Sequence, residues 1–279
     1  MPGKQTHISV QARFYFQYLQ HLLHAKSRYQ IHSPWVYGLI EQALRGGVQD
    51  PAWEPIEQLR HQLLRDHRLI EVDDPGAGSR VHATRRRSIS QIARTAAKPV
   101  PLARMLFQLC RYVQPAMVIE LGTSLGLTTA YLAAAVPDAR VITVEGSKAI
   151  AAEARRNLQQ LRLHNVDFRQ ALFADVLPEI RATLREPFLL FVDGDHRYAS
   201  TRAYVEPFLS ALDGDSCVVM DDIHWSREMT EAWNSLRNDS RVNLSIDVFF
   251  MGFLFHRTGR WQVEHYALRY PGILSWFRR

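Results

Sequence analysis

The sequence predicts an α/β protein built on a doubly wound, mostly parallel sheet, with antiparallel strands at its C-terminal end and a helical N-terminal extension. Three observations predict it. From Ala116 short apolar runs alternate with helical stretches, in the order MVIEL, LTTAYLAAAV, RVITVE, VDFRQA, PFLLFVD and CVVMDD. The strand-like runs are continuous in Val, Ile, Leu and Phe, as strands buried on both faces are. The 279 residues, 47% hydrophobic and 22% charged, suffice for one such domain of roughly 150 to 180 residues plus a smaller attachment.

Helical spacing comes first along the chain. Phe14, Tyr18, Leu22 and Ala25 recur every three or four residues, and Val36, Leu39, Ile40, Ala43 and Leu44 do so after Pro34. Trp35 reads as a core aromatic in that pattern. Gly46, Gly47 and Pro51 punctuate it, a third helix is expected from Pro55 to about Ile70, and VDDPGAGSR reads as a loop. Another helix, from about Pro101 to Val113, leads into the sheet. Residues 1–98 are thus expected to form a helical extension with a lid-like loop, and residues 99–279 the main domain. Beyond the fifth strand a helix is expected from about Arg227 to Asn238, and Thr258-Gly259 resembles a turn between two strands of an antiparallel section.

Composition narrows the function. Two cysteines, Cys110 and Cys217, lie in apolar stretches and read as buried hydrophobes, which excludes a disulfide scaffold or a thiolate metal site. The N-terminal stretch is broken by Gln, His and Arg and offers no signal-peptide core, and no apolar run approaches the ~18 residues of a membrane span. A cytoplasmic setting is expected. The net charge of +6 and the run Arg85 to Arg87 leave a nucleic-acid partner open, although a short basic run is ordinarily a solvated turn. The tail ILSWFRR reads as a docked C-terminus.

At the end of the first sheet strand stands Glu120-Leu121-Gly122-Thr123-Ser124-Leu125-Gly126, opening into a helix. Glycines let the backbone approach a ligand, and the helix N-terminus offers free N–H groups. The next strand ends at Glu145, placed to hydrogen-bond a ribose diol. A dinucleotide turn would read G-x-G-x-x-G, but here Ser124 replaces the central glycine. Glu120, two residues before Gly122, instead suits a ligand carrying an ammonium and a sulfonium. Further on, the fourth strand ends FVDGDHRY and the fifth VVMDDIHW, so Asp193, Asp195, Asp221 and Asp222 gather at the carboxyl edge where open sheets bind ligands. Three converging carboxylates suit a hard cation of the Mg²⁺ type, with a salt bridge to Arg197 as the plainer role of Asp195.

On these residues the chain, from about Met117 to Phe255, resembles the class I S-adenosylmethionine-dependent methyltransferases, whose fold is Rossmann-like. The resemblance implies S-adenosylmethionine held by Glu120, Gly122, Thr123, Ser124, Gly126, Glu145 and Asp193, with Gln170 and Ala171 bordering the adenine. VDGDH and DDIH look like the metal-dependent O-methyltransferase branch, including catechol, caffeoyl-CoA and sugar or macrolide enzymes, which implies Mg²⁺ at Asp193, Asp221 and Asp222. Asp222 stands where that branch has Asn. From HSP through DDIHWS to SIDVFFMGFLF the chain is also similar to bacterial class I methyltransferases whose family name states no acceptor. The implied reaction is O-methylation of a small-molecule or glycan-like acceptor. Asp193 would be catalytic, and His196 or His224 would take the hydroxyl proton. An RNA methyltransferase and a non-catalytic binding protein of the same fold are the alternatives, and a homodimer is left open.

Overall fold

The computed structural model describes residues 10–44, 49–72, 86–259 and 262–270. Helix α1 spans Val10–His24. Helix α2, Pro34–Leu39, starts where the spelling His32-Ser33-Pro34 says it should: Ser33 Oγ accepts from the Val36 N–H and Pro34 occupies the first turn. It runs on as a π-helical turn, Ile40–Leu44. Helix α3 covers Trp53–Leu63. Strands β1, Leu69–Glu71, and β2, Arg86–Ser88, pair antiparallel. Helices α4, Ile89–Ala96, and α5, Val100–Val113, then lead into the sheet.

The main unit alternates β3 Met117–Leu121, α6 Leu127–Ala135, β4 Arg140–Glu145, α7 Lys148–Gln160, β5 Val166–Gln170, α8 Phe173–Ala182, β6 Phe188–Val192, α9 Tyr198–Leu209, β7 Cys217–Asp221 and α10 Arg227–Arg237. It closes with β8 Leu244–Asp247, β9 Met251–Phe255 and β10 Glu264–Ala267. The eight strands order β10-β8-β9-β7-β6-β3-β4-β5. Neighbours from β5 to β7 are parallel, β9 runs antiparallel to both β7 and β8, and β10 returns parallel to β8. Because the chain leaves β3 toward β4 and later returns beside it as β6, a crevice opens above the carboxyl ends of β3 and β6, where such sheets bind ligands.

Period-two alternation splits β3 between two cores. Met117, Ile119 and Leu121 pack with α8, α9 and α10 through Leu177, Val205, Phe208 and Trp233. Val118 faces the opposite layer, whose core joins Phe107 of α5 and Tyr131 of α6 to Tyr18, Val36, Leu39 and Ile56 of the N-terminal helices. Trp35 packs edge-on against Tyr112 and Phe255, as expected of a core aromatic, while Tyr37 is exposed. Cys110 and Cys217 are both buried and unpaired.

Three expectations need correction. The third helix ends at Leu63 rather than near Ile70, because the Asp66 carboxylate accepts the Arg68 N–H at 2.9 Å and turns the chain, sending Ile70 into β1 opposite Arg87. Arg86 and Arg87 are therefore strand residues and not a turn between helices, whereas Arg85 and most of the VDDPGAGSR loop lie outside the described residues. The C-terminal hairpin joins β8 to β9 through Val248–Phe250, with Phe249 at φ 76°; Thr258-Gly259 is a turn, but the strands it connects are not neighbours. The ILSWFRR tail lies outside the described residues.

Candidate active site

The turn after β3 is shaped by contacts that leave no room for side chains. Gly122 has φ +107°, and a Cβ there would lie 2.0 Å from the Asp193 carbonyl oxygen. Its N–H and that of Thr123 donate to the Val144 carbonyl at 3.0 and 3.2 Å, tying the turn to β4. Ser124, at φ 49°, and Gly126, at φ 80°, complete the turn and open α6. Asp195, Asp222 and Phe249 also have positive φ, so uncommon backbone geometry collects along this carboxyl edge, as it does at functional sites.

Glu120 is completely buried below the turn. Its Oε2 accepts from the Thr129 and Thr143 hydroxyls, the latter at 2.7 Å, while Oε1 has no hydrogen-bond partner among the described residues. Burial pushes its pKa up to about 8 against the pull of the two threonines, with Asp193 and Glu145 adding to the rise. Glu145 accepts the N–H groups of Ser124 and Ser147, each at 2.9 Å. Burial raises its pKa, and those donors oppose the rise. Gln170 lies opposite Glu145 in the β4–β5 register, and the Ala171 N–H donates to the Glu145 carbonyl at 3.1 Å. Glu120, Gly122, Thr123, Ser124, Gly126, Glu145, Gln170, Ala171 and Asp193 therefore share one edge. A shallow cleft opens there, with Ala96 and Ala97 at the end of α4 forming one wall against Gly122, Ser124, Thr128 and Asp193.

Between the acids sits Lys98, a residue that motif reading passes over. Its Nζ donates to Asp193 Oδ1 at 3.0 Å and to Asp221 Oδ2. Burial alone would lower its pKa, but the combined pull of Asp193, Asp221 and Asp222 holds it well above the ordinary lysine value, so the ammonium stays charged. Burial and Asp222 push the Asp221 carboxyl up, and Lys98 opposes them. Lys98 follows α4, whose N-terminus carries a capping box in which Ser88 and Gln91 serve each other's backbone N–H groups.

The remaining candidates separate. His196 Nε2 lies 3.9 Å from Asp222 Oδ2, half-exposed beside the cluster. His224 Nε2 instead bonds Asp247 Oδ2 at 2.8 Å, and its ring stacks on Phe249. Asp195 takes the plainer role, bound by Arg197 and by the Tyr204 hydroxyl at 3.2 Å. Arg197, foremost, holds its carboxyl below the usual range. Asp247 and His21 also belong to this edge, though neither stands in a recognisable motif.

The switch-point crevice, the glycine turn and the acids at successive strand ends are the features on which the chain resembles the class I methyltransferases. Residues 119–223 match the family described as "Methyltransferase domain". The protein-L-isoaspartate O-methyltransferase of Shewanella oneidensis is 34% identical over 124 residues, 44% of this chain and 53% of that protein. Its Serratia proteamaculans counterpart is 34% identical over 122 residues, 41% and 57%. The chain thus spans little more than half the length of these curated relatives. Among solved structures, the O-methyltransferase from Bacillus cereus in complex with SAH superposes with a TM-score of 0.52 at 19% identity, covering 79% of this chain and 97% of that one. TomG from Streptomyces achromogenes, an O-methyltransferase of tomaymycin synthesis in complex with SAM, gives 0.52 at 20% identity, covering 75% and 91%. These structures bear on the fold alone.

Proposed function

We propose that this protein is an S-adenosylmethionine-dependent methyltransferase that methylates an oxygen of a small-molecule or glycan-like acceptor in the cytoplasm. The observation that carries the reading is the unpartnered, buried Oε1 of Glu120 beneath a turn that admits only glycine at position 122. A buried carboxyl oxygen without a partner lacks a donor, and a cation bound beside it would draw off the proton that burial retains and charge the group. The residues fit that cofactor: Glu120 favours its ammonium, Glu145 its ribose diol, and Gln170 with Ala171 borders its adenine. When bound, S-adenosylmethionine supplies an electrophilic methyl group on a sulfonium sulfur.

The chain's own task is to hold an acceptor oxygen in line and take its proton. The acids do not fit a resident divalent cation, because the Lys98 ammonium already stands between Asp193 and Asp221 and compensates their charge. No step is therefore assigned to Mg²⁺. An ammonium carries three N–H donors; with Asp193 and Asp221 taking two, the third is assigned to the acceptor oxygen, whose developing charge it stabilises. His196, with Asp222 3.9 Å behind it, receives the proton. Oxygen as the acceptor atom is supported by the names of the two curated relatives, both protein-L-isoaspartate O-methyltransferases. A nucleic-acid acceptor is the weaker reading, since Arg86 pairs with Glu71 and Arg87 donates to Thr95.

The test incubates purified protein with methyl-labelled S-adenosylmethionine and separate pools of small metabolites, glycans and RNA. Label is expected in a small-molecule or glycan fraction, with Asp193→Ala reduced on the order of a hundredfold or more. Transfer confined to RNA, or full activity of Asp193→Ala, would overturn the acceptor class or the acid mechanism respectively.

A further inference from the structure

His21 on α1, His224 after β7 and Asp247 at the end of β8 are far apart in sequence, yet the fold brings one donor atom of each within 4.8 Å of the others. His21 Nδ1 lies 3.5 Å from Asp247 Oδ1, and His224 Nε2 lies 2.8 Å from Asp247 Oδ2, so each imidazole addresses a different oxygen of one carboxylate. All three side chains are nearly closed to solvent, and the Phe249 ring lies against both imidazoles.

The hydrogen bonding at His21 is that of a cation ligand. Its Nε2 lies 3.1 Å from the Leu268 carbonyl oxygen, which can only accept, so Nε2 carries the hydrogen. In the neutral ring Nδ1 is then a lone pair facing a carboxylate oxygen, an acceptor against an acceptor. That is the arrangement metal-ligating histidines show: one nitrogen donates to a backbone carbonyl and fixes the ring, and the other is presented to the ion. Asp247 Oδ1 is itself held by the Phe249 N–H at 2.7 Å.

We propose that His21, His224 and Asp247 form a Zn²⁺ site. Two imidazoles and one carboxylate match zinc in donor type, and three protein ligands leave a position for water or a substrate oxygen. This site is distinct from the Asp193–Lys98–Asp221 cluster and needs no cofactor. Because His224 is two residues beyond Asp222, the ion would fasten α1 and, through Leu268, the segment after β10 to the loop bordering the acceptor crevice.

The test strips the protein with a chelator and titrates it with Zn²⁺, and separately with Co²⁺ followed by visible absorption, all without S-adenosylmethionine. One equivalent of Zn²⁺ is expected, with a Co²⁺ spectrum of low-symmetry N/O coordination. Asp247→Asn and His21→Gln should each weaken binding by about a hundredfold or more, while His24→Ala, an exposed neighbour on α1, should bind like the wild type. Circular dichroism of the metal-free variants establishes that they are folded, and His21→Gln keeps a donor for Leu268 if Asp247→Asn does not fold. Wild-type protein that takes up no zinc, or a folded His21→Gln that binds it as tightly, would overturn the site. Methyl transfer is measured separately, so neither result bears on it.

Discussion

Lys98 gives up the hydration of its ammonium for Asp193 at 3.0 Å and for Asp221, an exchange that holds only while the pair stays together. Replacing it by alanine leaves two carboxylates facing each other in a buried site, a loss of about 3–5 kcal/mol. Asp193, Asp221 and Asp222 then make the oxygen-rich set that a hard cation takes. Lys98→Ala is therefore expected to melt well below the wild type and to recover with added Mg²⁺, whereas wild-type Tm should not respond. An equal response of both proteins would contradict this reading. Glu120 sets a second signature. Its folded pKa of about 8 stands above its ordinary value of 4.5, so between these limits the folded chain keeps a proton that the unfolded chain has released. Stability from this group is fully present below pH 4.5 and is lost as pH rises through about 8. Thermal unfolding of Glu120→Gln should show its advantage over the wild type growing from pH 5 to pH 8.5, and a constant gap would count against the buried proton.

Elements were legible in proportion to how much of their signal is local. Four of the five parallel strands, all but the partly buried edge strand β5, were visible because residues such as Ile119, Phe191 and Val219 are buried on a sheet covered on both faces, which favours near-continuous apolar spelling. Helix α4 was not, although Ser88 and Gln91 spell its capping box, because eight residues provide little periodicity. Ser88→Ala should cost about 1 kcal/mol in urea unfolding. The pairing of β9 between β7 and β8 was equally hidden, since no pattern within VNLSIDVFFMGFLF states which neighbour each strand takes. Gly252 records that placement: a Cβ there would stand 2.5 Å from the Trp233 ring of α10. Gly252→Ala is expected to destabilise by about 1–3 kcal/mol in the same measurement, the cost of overpacking a rigid ring.

At the scale of the whole molecule, the legible part of the site is the part whose residues are neighbours in sequence. Glu120 through Gly126 is one turn, and the acids mark the ends of recognisable strands. Lys98 meets Asp193 and Asp221 across 95 and 123 residues, and His21 reaches Leu268 across 247, so only the folded topology reveals them. With Lys98 in place, the acid set foreseen for Mg²⁺ reads as an internal ion-pair network. Cofactor binding would then act on the entire fold, because the turn is sutured to β4 and covered by the α4–α5 link. Ligand at a hundred times its Kd should add about 2.7 kcal/mol to stability. The most direct test is calorimetric titration of the cofactor-stripped protein with S-adenosylmethionine and S-adenosylhomocysteine, beside Glu145→Ala. The site described here predicts micromolar binding of both ligands by the wild type, without added Mg²⁺, and marked weakening in the variant; a folded wild-type protein that binds neither would contradict it.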